Sequence, residues 1–406
     1  MLNKPISAIA KRVSSGLTPL RSNPDFWMNG TVPWLKTEQL GEKFIYSTKE
    51  KISEVALKKT SIKVYPPNTL SIAMYGEGKT RGNVSIIKSK MATNQACCNI
   101  ELDPELADSE YVYYFLKTQY NELRNLSSGV RKNLNSEDIK RFVVRLPEDL
   151  DDQKKIAAVL SVLDAKIDCN NRINAELEAM AKTLYDYWFV QFDFPDASGK
   201  PYKSSGGKMV YNATLKREIP AGWKDKQLCQ IANITMGTSP SGDSLNDAGD
   251  GVEFFQGSTD FGWRFPTVRQ YTTQSVRMAK RGDILLSVRA PVGDLNVAHI
   301  DCCIGRGLAA LNSKDGFDGF LFYVMQYFKT VFDRRNSEGT TFGSITKDDL
   351  HALPLACPTP DLLKKYNDVV SGYNQMVFTR SMENQQLAQL RDWLLPLLMN
   401  GQVTVA

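Results

Sequence analysis

The alternation of apolar and polar residues is most regular between Asp151 and Phe189, a stretch without Pro or Gly. Alternating steps of four and three from Ile156 fall on Leu160, Leu163, Ile167, Asn170, Asn174, Leu177, Ala181, Leu184 and Trp188. A 3.5-residue repeat held for about nine helical turns is the pattern of a coiled-coil seam. A helix of that length spans roughly 60 Å, too long for the core of one compact domain. A second such stretch, Asp361 to Met399, repeats through Leu362, Tyr366, Val369, Tyr373, Met376, Arg380, Glu383, Leu387, Leu390, Leu394 and Leu397. Laid antiparallel, the two series match when paired residue numbers sum to 553 or 554, so that Ile156 meets Leu397 and Trp188 meets Tyr366. The polar positions then coincide as well, Asn170 with Glu383 and Asn174 with Arg380. A polar layer in an apolar seam costs stability and sets register. Rotation of all four side chains out to solvent is the equal alternative.

The rest of the chain repeats itself. Ile6, Ile9, Ala10, Gly16 and Pro19 are echoed by Leu228, Ile231, Ala232, Gly237 and Pro240. Residues 66–87 and 280–300 both read as a β-rich run, a glycine-bearing loop and a further strand. Residues 111–123 and 320–332 are aromatic-rich amphipathic helices. Residues 127–147 and 337–358 each carry a glycine loop, an apolar residue (Leu134, Ile345) and a helix cap at Ser136 or Thr346 followed by acidic residues. The order is globule, long helix, globule, long helix. The predicted fold is α+β: two similar α/β domains separated by two long antiparallel helices in a coiled coil, with an internal pseudo-twofold repeat. The expected boundaries are 1–148, 149–190 for the central helix, 191–221 for an exposed connector rich in Gly, Ser, Lys and Pro, 222–359, 360–399 for the distal helix, and 400–406 for a tail.

Composition narrows the class. The 406 residues are 42% hydrophobic and 23% charged, ordinary globular material. No run of about 18 apolar residues exists, and the N-terminus lacks the apolar core of a signal peptide. The seven cysteines form no CxxC spacing and there are two histidines, which points to reduced, cytosolic packing thiols rather than zinc ligands. The net charge of +5 is concentrated in residues 1–150, with 22 Lys and Arg against 16 Asp and Glu. That surplus is a weak mark of a polyanion binder.

Several segments together, in order and in duplicate, resemble the specificity subunit of type I restriction–modification systems over the whole length. They are LPEDLDDQKKIAAVLSVLDAKI, TLYDYWFVQFDF, IPAGWKDKQLCQIANITMGTSPS, RAPVGD, GTTFGSITKDDL and LRDWLLPLLMNGQV. The resemblance implies that each globule is a target recognition domain for one half of a split double-stranded DNA sequence. It implies that the helices space the half-sites and dock two methyltransferase subunits, with restriction subunits joining to complete the endonuclease. It implies a cytoplasmic, non-catalytic chain without a cofactor of its own. S-adenosylmethionine, ATP and Mg2+ would serve the partner subunits, in a complex that methylates adenine N6 and cleaves DNA at the expense of ATP.

The residues that would carry DNA contacts are polar and loop-borne. Gly76–Gly82 presents Lys79 and Arg81. It is not a Walker A loop, because Ala73 stands where the first glycine belongs. Its counterpart presents Arg289. Arg131 and Lys132, and Thr340 and Thr341, lie in glycine loops ahead of a helix cap, where backbone N–H groups suit phosphate. Arg21, Lys36, Ser239, Gln256 and Arg264 lie in polar loops that repeat across the copies. No Asn/Asp-Pro-Pro-Tyr/Phe methyltransferase motif and no nucleophile motif beside His299 or His351 is present. The alternatives are a stand-alone nuclease or NTPase with unrecognised motifs, and a scaffold that reads no sequence.

Overall fold

The computed structural model describes residues 1–76, 78, 80–126, 133–337 and 344–405, without the side chains of 334–337. By packing the chain divides into two units, Met1–Asp168 with Asn384–Ala406, and Cys169–Glu383. Each unit therefore draws on both long helices, Leu150–Tyr185 and Pro360–Met399.

In the first unit an antiparallel run of strands has the order Ala10–Ser15, Cys97–Leu102, Leu70–Ala73 and Val84–Ile87, with Phe44–Ile45 added in parallel at the edge. A second sheet has the order Glu50–Ile52, Val32–Leu35, Met91–Thr93 and Val64–Tyr65, its central pair parallel. The strand Leu2–Pro5 pairs with Val143–Leu146. The second unit repeats this plan. Ala232–Met236, Leu308–Ser313, Ile284–Ser287 and Leu295–Val297 form one sheet. Gln270–Thr272, Val252–Phe255, Cys302–Ile304 and Met278–Ala279 lie in the other, again with a parallel central pair. Lys224–Gln227 pairs with Pro354–Cys357.

The registers agree apart from a β-bulge at Lys11 in the first copy. Val13 faces Ile100 where Ile234 faces Leu311. A Cβ at Gly16 would lie 2.2 and 2.5 Å from the Thr93 and Asn94 carbonyl oxygens, and one at Gly237 2.8 and 2.2 Å from those of Ile304 and Gly305. The glycine is fixed in both copies by the same close approach of backbone to backbone.

The long helices depart from the strict heptad. On the first, Ile156, Leu160, Asn170, Asn174, Leu177 and Ala181 of the expected series are buried and Leu163 and Ile167 half-buried; burial then steps by four to Tyr185 and Phe189, leaving Leu184 and Trp188 half-buried. There the helix enters the aromatic core of the second unit and widens into a π turn, Asp186–Val190. On the second, Val370 and Val377 are buried while Val369, Met376 and Leu390 are exposed. A straight α-helix turns every 3.6 residues, so its contact face drifts against a 3.5 repeat. This helix also packs on the aromatic helix Asp318–Ser337, where Gly319 leaves room for Val370 and Asn367.

At the polar layer Asn170 Nδ2 donates to Glu383 Oε2 at 2.8 Å. Asn174 donates to Ser381 Oγ at 3.3 Å rather than meeting Arg380, whose guanidinium turns back to the Met376 carbonyl. Both asparagines are buried, so the alternative of rotation to solvent does not apply to them. The same drift that selects Val377 brings Ser381 into the layer.

Two local expectations change. The cap of the helix Ser136–Arg141 is Asn135, which accepts from Asp138 N at 2.9 Å, not Ser136. Thr346 caps its helix as expected, in a capping box with Asp349. The stretch expected as an exposed connector carries the hairpin Met209–Asn212 and Arg217–Pro220, and Phe192 and Ile219 are buried in the second unit's core with Trp223. Apolar residues scattered among Gly, Ser and Lys were enough to anchor it. All seven cysteines are unbridged. Burial pushes the Cys97, Cys98 and Cys302 thiols up to about 12, which keeps them neutral and inert.

Candidate nucleic-acid interface

Two sets of loops collect the polar candidates in each unit. The first set surrounds the parallel strand pair. The Leu35 carbonyl accepts from Asn94 N at 2.9 Å, and the Phe255 carbonyl from Gly305 N at 2.9 Å. Lys36 and Gln256, the next residues, therefore occupy equivalent points. Likewise Leu17 N donates to Thr93 O and Thr238 N to Ile304 O, which makes Thr18 equivalent to Ser239.

The side chains at these matched points differ. In the first unit Lys36 reaches Glu50 at 2.7 Å and Glu38 at 3.2 Å. Arg21 pairs with the other oxygen of Glu50 at 2.5 Å and lies 3.7 Å over the Trp27 ring. Arg21 first and Lys36 second hold the Glu50 carboxyl below its usual range, while Glu50 and then Glu38 raise Lys36. Thr18 donates to Gln95. In the second unit Gln256 Nε2 lies 3.1 Å from Ser239 Oγ, which also accepts from Arg306 N at 3.4 Å. The exposed side chain of Arg306, with Thr18 and Gln95, was missed in the sequence reading. The signal for all three was alignment of the loop after Ala10–Ser15 and the loop after Met91–Thr93 with their counterparts in the second copy.

The second set joins loops that are far apart in sequence. Leu134 N donates to Met74 O at 3.1 Å, and Ile345 N to Val288 O at 2.9 Å. Each bond ties the segment ahead of a helix cap to the glycine loop that follows the strand Leu70–Ala73 or Ile284–Ser287. Gly82 (φ +86°) and Gly293 (φ +92°) turn these loops in the left-handed region. Arg124 Nη1 braces the first loop through the carbonyls of Gly78 and Arg81, at 2.9 and 3.3 Å. Arg81 is half-buried and Arg289 exposed. Lys79, Arg131, Lys132, Thr340 and Thr341 lie outside the described residues.

Arg264 does not belong to this surface. It is buried, its guanidinium 3.0 Å from Asn374 Oδ1, 3.5 Å from Glu178 Oε1 and 3.6 Å over the Phe322 ring. A guanidinium enclosed in this way has no open face for a phosphate. Its neighbours Trp263 and Phe265 are aromatic, but Trp263 is itself exposed, so they did not distinguish a buried Arg264 from an exposed one. Among the described residues no group of three or more His, Cys, Asp or Glu converges to hold a metal ion, and no helix is long and apolar enough to cross a membrane.

The sequence profile of the type I restriction modification DNA specificity domain matches residues 5–179 and 220–370, one match over each copy of the repeat. The chain belongs to the type I restriction–modification specificity subunit family. It is 32% identical over 303 residues to the putative type I restriction enzyme MjaX specificity subunit of Methanocaldococcus jannaschii, covering 73% of this chain and 68% of the relative. It is 25% identical to the MjaIX specificity subunit of the same organism, covering 97% of this chain and 91% of that one. The crystal structure of the type I restriction–modification S subunit from M. genitalium shares the fold, with a TM-score of 0.61 at 16% identity over 98% of this chain and 95% of that chain. The two DNA specificity domains of this family member are thus the two copies whose matched loops hold the polar residues.

One consequence is measurable at Glu50. Glu50→Gln should free Arg21 and Lys36 for phosphate. DNA affinity at low salt should rise, and the slope of log K against log salt should steepen by up to about one unit per cation recruited. Anisotropy titrations at several salt concentrations read both. An unchanged slope would remove the pair from the phosphate-contacting set.

Proposed function

We propose that each unit reads one half of a split double-stranded DNA target, while the long helices set the distance between the halves and dock two methyltransferase subunits. The supporting observation is that equivalent loop points carry different side chains: Lys36 against Gln256, Thr18 against Ser239, Gln95 against Arg306. A common frame with unlike readers fits two unlike half-sites. Phosphate contacts supply affinity and position, and base-edge contacts supply sequence choice. Lys36, Arg21, Arg306, Arg289 and Arg81 are the cations of choice, with Ser239 and Gln256 offering donors and acceptors to base edges; Lys79, Arg131, Lys132, Thr340 and Thr341, outside the described residues, are proposed from the sequence alone. The buried Asn170–Glu383 and Asn174–Ser381 contacts set the register of the helices. Chemistry resides in the partners: methyltransferase subunits carrying S-adenosylmethionine flip and methylate the target adenines, and restriction subunits drawing on ATP and Mg2+ complete the endonuclease.

The test is to map methylated adenines in DNA from cells carrying this chain with its methyltransferase. A split motif is expected. Replacing residues 1–148 with the matching domain of a relative should then change one half of the motif and leave the other half and the gap as they were. A change in both halves together would refute independent reading.

A further inference from the structure

Each unit turns a cation inward at the same place. Gly41-Glu42-Lys43-Phe44 and Gly262-Trp263-Arg264-Phe265 share the pattern Gly, any residue, cation, Phe. Their backbones match: Lys43 O accepts from Ile86 N at 2.8 Å, and Arg264 O from Val297 N at 2.9 Å. Gly41 N donates to Ser85 Oγ and Gly262 N to Asn296 Oδ1, so the preceding glycine is tied down in the same way. Both segments leave the outer sheet, which carries Lys36 or Gln256, and enter the sheet that packs on the helices.

The cations then point inward. Lys43 Nζ, on a side chain only 10% exposed, donates to Glu110 Oε2 at 2.7 Å, Tyr114 OH at 2.8 Å and Ser161 Oγ at 2.8 Å. Glu110 and Tyr114 lie on the aromatic helix Ser109–Thr118, and Ser161 on the first long helix. Burial pulls the Glu110 carboxyl upward, but Lys43 and Ser161 outweigh it and leave it below its usual range. Tyr114 passes the connection on to Asp164, which pairs with Arg391 of the second long helix at 2.8 Å. Arg264, 6% exposed, holds Asn374 of the second long helix and Glu178 of the first, and Gln326 of the aromatic helix donates to the same Glu178 at 3.2 Å.

A buried charge pair is retained at a cost in desolvation, and replacing both partners together by well-packed apolar residues is often neutral or stabilising. What the charge adds is a directional constraint, because its hydrogen bonds form in one arrangement only. We propose that Lys43 and Arg264 are positioning residues: each locks the outer, DNA-reading strands of its unit to the long helices and so determines how strictly one gap length between half-sites is enforced. This rests on the proposed split-target reading. Neither residue touches DNA; each acts through the orientation of the loops above it.

The experiment uses the chain assembled with its methyltransferase subunits. Methylation is measured on duplexes carrying the native gap and on duplexes with the gap one base pair longer or shorter. In Lys43→Met and Arg264→Met the off-gap to native-gap ratio should rise at least fivefold, and Lys43→Arg and Arg264→Lys should bring it back to within about twofold of wild type. A proportional loss at every gap, or a ratio unchanged in the folded Met variants, overturns the proposal. If a Met variant does not fold, Ser161→Ala and Asn374→Ala each remove one partner of the cation. Each should raise the ratio about twofold, and no rise overturns the proposal. A wild-type complex that methylates an unbroken motif refutes the split-target reading and this inference with it; a split motif with unaltered gap tolerance in the variants refutes this inference alone.

Discussion

Adding one heptad to each long helix, after Leu177 and after Met376, should lengthen the gap in the methylated motif. The two sites face each other in the antiparallel register, whose polar layer is held by Asn170 and Glu383, so matched insertions keep the pairing on both sides. Seven residues add about 10 Å of helix, comparable to three base pairs at about 3.4 Å each. Up to three base pairs of extra gap are expected, with part of the activity lost because one half-site is also rotated around the duplex. A four-residue insertion in one helix alone shifts that helix against its partner and opposes apolar to polar positions. Activity should then fall with no new motif. Methylation sequencing of each variant decides the matter: an active double-heptad variant that keeps the original gap would show that the helices hold the assembly together without measuring distance.

Tyr366→Ala should give the largest loss of stability. Tyr366 is fully buried. Its ring centroid lies 4.9 Å from that of Phe189, 6.0 Å from Trp188 and 6.3 Å from Tyr185, and its hydroxyl donates to Ala181 O at 3.2 Å. It is the point where both long helices enter the core of the second unit. Truncating a buried aromatic costs about 3–5 kcal/mol, a large part of the roughly 5–15 kcal/mol that holds a domain folded. The melting transition of the second unit should drop by on the order of 10 °C. Tyr366→Phe, which removes one hydrogen bond worth about 1 kcal/mol, should shift it by only a few degrees. Calorimetry separates the two cases, and equal shifts would show that the ring adds nothing beyond its hydroxyl.

The sequence alone determined the long helices, the doubling of the globules and, at Asn170 and Glu383, one of the two polar pairs between the helices. These are carried by spacing within a stretch or by similarity between stretches, and both survive without coordinates. Asn170 does meet Glu383 because register is a matter of counting along two helices. The contact face is another matter. Val377 rather than Met376 is buried because a 3.6-residue helix packed on several neighbours drifts from a 3.5-residue ideal.

Only the tertiary structure decided which polar residues share a surface. Leu134 and Met74 are hydrogen-bonded though about sixty positions separate them, so two loops read as independent candidates form one feature. Lys36 and Gln256 are equivalent through a strand register that no local pattern displays. Arg264 looked like a loop cation, and Lys43 passed unnoticed, although Gly-Glu-Lys-Phe and Gly-Trp-Arg-Phe stand in the chain for comparison. Whether a guanidinium faces solvent or a half-buried glutamate depends on what the rest of the chain places over it. That is a property of packing between distant segments, and the residues on either side do not contain it.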